Sequence, residues 1–142
     1  MNILAGVTST ASALNAERIR MEVVSQNIAN ANVSRSEDGK PYQRQVVHFE
    51  SVMNGASSSG AAGQAPQSLQ VAHVEKDLRP ARMVYNPSDP AHDANGWVKM
   101  PDINIHEEMV DLIAASRAYE ANLAVVKSSR NMAMQTLTIG KR

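Results

Sequence analysis

The strongest constraint in this chain is a heptad pattern held from Ile105 to Leu137. One column runs Ile105, Leu112, Tyr119, Val126, Ala133. The other runs Met109, Ser116, Leu123, Arg130, Leu137, with one hydroxyl and one charge among apolar residues. No Gly or Pro interrupts the stretch. It predicts a single helix of roughly 50 Å at 1.5 Å per residue, against a mean of about 11–12 residues for a globular helix. A narrow apolar stripe on so long a helix calls for a partner helix, from this chain or another. Arg130 in the stripe is explained by drift of the heptad and by the snorkelling of a long basic side chain. A register-setting polar contact is the sharper alternative.

Both ends of this helix are marked. Asn104 stands three residues before Glu107, where each side chain can reach the other's backbone N–H. Glu107, Glu108 and Asp111 occupy the first turns and Lys127 and Arg130 lie toward the end, as the helix dipole favours. Glu107 and Glu108 are therefore read as dipole partners rather than as a catalytic carboxylate pair. Gly140 is the expected stop.

Residues 2 to about 32 carry a second stripe. Leu4, Val7, Ala11, Leu14, Met21 and Ile28 follow heptad spacing, with Val7, Leu14, Met21 and Ile28 in one column. Gly6, Thr8, Ser9, Thr10, Ser12, Asn15, Ser25, Asn27, Asn30 and Asn32 are poor helix formers. Uncovered, this segment is expected to fray. Two stripes of similar length at opposite ends of the chain suggest that they pair, with the middle as an excursion.

The fold class expected is mainly α with a small β part. Long N- and C-terminal helices pair as a coiled coil over 1–33 and 104–142, and a β-rich middle spans 34–103. Within it, Tyr42 to Phe49 alternates as a strand, with Ser68 to Glu75, Arg82 to Tyr85 and Trp97 to Met100 as shorter candidates. Asn86 to Pro90 and Asp93 to Gly96 read as turns. The stretch near 54–66 is mostly Gly, Ala and Ser and reads as a flexible loop.

Composition removes several functions. Net charge is zero, with 14 basic and 14 acidic residues and no basic block, so nucleic acid is not an expected partner. No run approaches a membrane span. Cysteine is absent, which excludes disulfides and thiolate chemistry. Only 4% of residues are aromatic, so the apolar content lies in smaller side chains that suit helix packing. The start of the chain lacks a basic n-region, so no cleaved signal is expected. His48, His73, His92 and His106 show no ligand spacing. No nucleophile elbow, dinucleotide fingerprint or P-loop occurs. No catalytic residue, metal or cofactor is expected.

Leu14-Asn15-Ala16-Glu17-Arg18-Ile19-Arg20-Met21 and Ser25-Gln26-Asn27-Ile28-Ala29-Asn30-Ala31-Asn32 resemble the N-terminal signature of bacterial flagellar rod, hook and related axial proteins. Glu108-Met109-Val110-Asp111-Leu112 and Ser116-Arg117-Ala118-Tyr119-Glu120-Ala121-Asn122 resemble the matching C-terminal end. Val84-Tyr85-Asn86-Pro87, Asp89-Pro90-Ala91-His92, Gly96-Trp97-Val98 and Pro101-Asp102-Ile103-Asn104 resemble the short proximal rod members, the FlgC type. Trp97 stands where Tyr is usual, and 54–66 does not align.

The resemblance implies a structural subunit of the flagellar basal-body rod, self-assembling through its terminal helices into the drive shaft that crosses the periplasm. It implies an inner coiled-coil domain with a β-rich part outside. Partners would be other copies, other rod proteins, the basal-body ring and rod-base adaptor. The flagellar type III export apparatus would carry the chain out without signal cleavage. The expected assembly interface comprises Leu4, Val7, Leu14, Met21, Asn27, Ile28, Asn30, Met109, Leu112, Tyr119, Leu123, Val126 and Leu137. The alternatives are a soluble helical-hairpin adaptor that binds a partner helix, and an enzyme of unrecognised motif.

Deleting 57–65 is expected to be tolerated, since a Gly/Ser/Ala loop contributes little packing. Removing 125–133 takes about two and a half turns and rotates all that follows by about 180°. Electron microscopy of basal bodies with a motility assay should show near-normal rods for the first deletion and none for the second. Equal loss in both would mean that 57–65 is itself a contact surface.

Overall fold

The computed structural model describes residues 3–36, 39–53 and 67–140. The expected loop at 54–66 lies outside them. Two long helices, α1 (Ile3–Ala29) and α2 (Ile105–Ile139), bracket four strands: β1 (Gln45–Met53), β2 (Gln67–Lys76), β3 (Arg82–Tyr85) and β4 (Trp97–Met100). The helices pack against each other, and α1 also packs on β1 and β2. Contacts at Asn27–Glu108 and Arg20–Asp111 run in opposite senses along the two helices, so they are antiparallel. The weak intrinsic propensity of α1 is thus overcome by cover on two sides.

The buried positions differ from the expected columns. On α2 the fully buried residues are Glu108 and Ala115. Of the expected second column, Met109 is 49% and Leu137 68% exposed. The first column holds better: Leu112, Tyr119, Val126 and Ala133 are half-buried. On α1 the buried residues are Ala16, Val23, Val24 and Asn27, while Val7, Leu14, Met21 and Ile28 flank them, half-buried. The register that joins Arg20 to Asp111 places Ala16 level with Ala115. Small side chains let two helices approach closely, so the contact line selects Ala and the larger residues flank it.

The helices differ in length. At about 1.5 Å per residue α1 spans about 40 Å and α2 about 52 Å. With Glu108 beside Asn27, α2 runs past Ile3 from about Met132 onward. Met132, Met134, Leu137 and Ile139 on this overhang are all exposed.

The expected cap of α2 is present in altered form. Asn104 Oδ1 accepts from the His106 backbone N–H at 3.1 Å, not from Glu107. Gly140 ends the helix but keeps a right-handed backbone (φ −72), its N–H donating to the Thr136 carbonyl.

The strands form two antiparallel hairpins, β1–β2 and β3–β4. β3 and β4 have the expected bounds. The first strand starts three residues later than its alternation suggested and runs to Met53, because Tyr42 and Arg44 face the helix junction instead. The ladder slips beside His48 and Phe49, which pair with His73 and Val71 and leave Ala72 as an extra residue on β2. In the β3–β4 connection Asp93 Oδ1 accepts from the N–H groups of Asn95 and Trp97, both at 2.9 Å. Gly96 closes this turn at φ +78.

A Cβ on Gly96 would lie 2.9 Å from Tyr85 Cε2, and Tyr85 packs edge-on against Trp97 at 5.5 Å. Gly96→Ala should therefore destabilise the protein by about 1–2 kcal/mol from the left-handed backbone alone, with further loss from the ring contact. Gly39→Ala, also left-handed but 4.0 Å from its nearest neighbour, should cost less. Urea unfolding followed by the fluorescence of Trp97 would measure both. Equal effects would show that the Tyr85 contact contributes nothing.

Candidate functional site

A buried polar cluster sits where α1, α2 and the start of β1 meet. Asn27 and Glu108 are each 1% exposed. Asn27 uses its full side-chain capacity of two donors and two acceptors. Nδ2 donates to the Gln45 carbonyl at 2.9 Å and to Glu108 Oε2 at 3.0 Å. Oδ1 accepts from the Gln45 N–H at 2.9 Å and from the Tyr42 hydroxyl at 3.0 Å. The two bonds to Gln45 imitate a strand partner, so a helix side chain starts the sheet.

Glu108 is neutralised by Arg44, whose Nε donates to Oε1 at 2.6 Å. A buried carboxylate without such a partner would cost several kcal/mol. Arg44 Nη1 also lies 3.6 Å from Asp77, Asp77 is bonded to Arg79 Nε at 2.8 Å, and Arg79 Nη1 lies 3.6 Å from Asp102 just before α2. The Asp77 N–H donates to the Arg44 carbonyl at 2.7 Å. This chain of charges ties both ends of the β1–β2 hairpin to the entry of α2. Hydrogen bonds from Arg79, and then its charge with that of Arg44, hold the Asp77 carboxyl below its ordinary value. Burial, and then the Glu108 charge, raise the Tyr42 phenol above its own.

Glu108 thus corrects the dipole reading: it is a buried structural partner, while Glu107 is exposed. Two signals could have found the cluster: Asn27 sits among apolar positions of α1, and Arg44 interrupts an alternating strand. Neither says that the two meet, 17 residues apart, over a carboxylate 81 positions from Asn27.

Among the other expected interface residues, Leu112, Tyr119, Leu123 and Val126 are half-buried along α2, and Met109 and Leu137 are exposed. Ile28 is half-buried, and Asn30 Nδ2 donates to the Gln26 carbonyl at 2.8 Å in the last turn of α1. The side chain of Leu4 lies outside the described residues. The histidines are not all scattered as their spacing suggested. Strand pairing sets His48 opposite His73, their rings stacked at 4.8 Å.

Asn27→Ala should cost about 3 kcal/mol, since it leaves a buried peptide group, a phenol and a carboxylate short of partners. Tyr42→Phe removes one bond and should cost about 1 kcal/mol at neutral pH. Folding raises the Tyr42 pKa above 10.0, so its contribution is complete below pH 10 and lost as the pH rises past the folded value. Urea midpoints measured against pH should fall less steeply above pH 10 in Tyr42→Phe than in the parent. Parallel curves would contradict this account of Tyr42.

Comparison with known proteins agrees with the helical ends. The family model described as flagella basal body rod protein matches residues 9–35. The model described as flagellar basal body rod FlgEFG protein C-terminal matches 94–139. The chain is 38% identical to flagellar basal-body rod protein FlgC of Borreliella burgdorferi over 149 aligned residues, covering 98% of each chain. It is 39% identical to FlgC of Salmonella typhimurium, covering 92% of each. It is 36% identical to FlgC of Bacillus subtilis, covering 93% of this chain and 94% of that one. An antiparallel pair of long helices carrying the family's terminal motifs, with whole-length similarity to these relatives, places the chain in the FlgC-type family of flagellar basal-body rod proteins, structural subunits and not enzymes.

Proposed function

We propose that this protein builds the proximal part of the rod by packing α1 and α2 against the helices of neighbouring copies and of other rod proteins. The observation that carries this reading is the distribution of side-chain size. The buried residues of α2 are Ala115 and Glu108, and many of its larger apolar residues stay outside. Met109, Val110, Ile113, Val125, Met132, Met134, Leu137 and Ile139 all remain exposed along α2. An apolar surface continued over so long a helix requires cover, and helices of adjacent subunits in coiled-coil packing would supply it.

In this reading 1–33 and 104–142 form the inner unit and 34–103 the outer one. The overhang of α2 past α1 reaches the next subunit. The cluster around Asn27 holds the outer part at a constant angle to the helices. The subunit would leave the cell through the flagellar export apparatus and take its place in the periplasmic rod. Among the described residues no helix is long and apolar enough to cross a membrane.

Leu137→Asp separates assembly from folding. Leu137 is 68% exposed, so a carboxylate there should leave the isolated chain folded. Buried at a subunit contact it would cost several kcal/mol. Leu123→Asp, mid-helix and half-buried, should also block incorporation. Immunoblots for synthesis, circular dichroism of the purified chains and electron microscopy of basal bodies would test both. Normal rods from Leu137→Asp would remove the overhang from the interface.

A further inference from the structure

The outward side of the β1–β2 hairpin carries a group of residues that the buried cluster does not use. His48 on β1 faces His73 on β2. Glu75 lies two residues beyond His73, and alternate strand residues share a face. His48 Nε2 is 3.4 Å and His73 Nε2 3.6 Å from Glu75 Oε2. All three ligand atoms lie within 4.8 Å of one another, and all three side chains are exposed.

We propose that His48, His73 and Glu75 bind one first-row divalent transition-metal ion of the zinc class. Zinc takes His nitrogen and carboxylate oxygen at about 2.0–2.1 Å, so neighbouring ligands in a tetrahedral site stand about 3.3 Å apart. The two His–Glu separations already match that edge. Only the imidazole nitrogens must draw together, and rotation of two exposed side chains accomplishes it without disturbing packing. Water completes the fourth position. The donor set of two imidazoles and one carboxylate selects zinc, copper or nickel over the hard cations magnesium and calcium, which require more oxygen ligands.

The backbone supports the arrangement. The extra residue Ala72 makes a bulge immediately before His73. A bulge turns the following side chains and increases local twist, and this one sets His73 against His48. A bound ion would clip β1 to β2 on the side of the sheet away from α1. That is the part of the molecule the Asn27–Glu108 cluster does not hold.

Zinc titration of the full-length chain by calorimetry, with magnesium as the control ion, tests the site. One zinc per chain is expected, with no heat from magnesium. Zinc should raise the melting temperature and shift the imidazole signals of His48 and His73 in NMR spectra. His48→Gln and His73→Gln lie on exposed positions and should fold normally, as amide spectra would confirm. Each should weaken zinc binding by at least about tenfold, while His92→Gln and His106→Gln should leave it unchanged. Absence of saturable zinc binding to the parent chain would overturn the proposal. So would binding that keeps its affinity in His48→Gln and His73→Gln.

Discussion

The four hydrogen bonds of Asn27 are the interaction on which the rest of the arrangement depends. One amide side chain joins α1 to α2 through Glu108, opens the β1 ladder through Gln45 and anchors Tyr42. A buried amide or carboxylate is tolerated only when its partners are all in place. The cluster therefore admits one helix register and one strand start, and a slip of either would orphan several groups together. Apolar contact between two Ala-lined helices would not discriminate so sharply among neighbouring registers.

Arg44 extends that constraint outward. Its guanidinium neutralises Glu108 and reaches toward Asp77, and Asp77 and Arg79 carry the chain of charges to Asp102. Arg79 and Asp102 are exposed, and their pair is worth little by itself. Their contribution is placement: the ends of the β1–β2 hairpin and the approach to α2 are held in one locality.

The helices show a division of labour by side-chain size. Alanine lies at the contact between α1 and α2, where Ala16 is level with Ala115 and close approach leaves little volume. On α2 Met109, Ile113, Met132, Met134, Leu137 and Ile139 remain on the outside, while Leu112 and Leu123 are half-buried. A monomer gains little from that exposure. The family is one of structural rod subunits, and the exposed apolar side chains of α2 are surface open to neighbours.

Much of the fold was legible in the residues alone. The uninterrupted period from Ile105 defines α2 almost to the residue, because helix continuity needs only apolar spacing and the absence of Gly and Pro. β3 and β4 were legible from the turn residues that bound them. The local pattern could not say which side of each stripe meets the partner within the chain. That depends on how closely two helices approach, and the answer moved the buried line from Met109 to Glu108. Nor could it reveal that Glu108 was a buried partner rather than a dipole counter-charge, or that His48 and His73 were neighbours. Those facts join residues 81 and 25 positions apart, and only the tertiary structure brings them together. The sequence by itself determined the elements, through local periodicity and turn chemistry. The tertiary structure decided the contacts, through volume at the helix crossing and the need of the buried Asn27 and Glu108 side chains for partners.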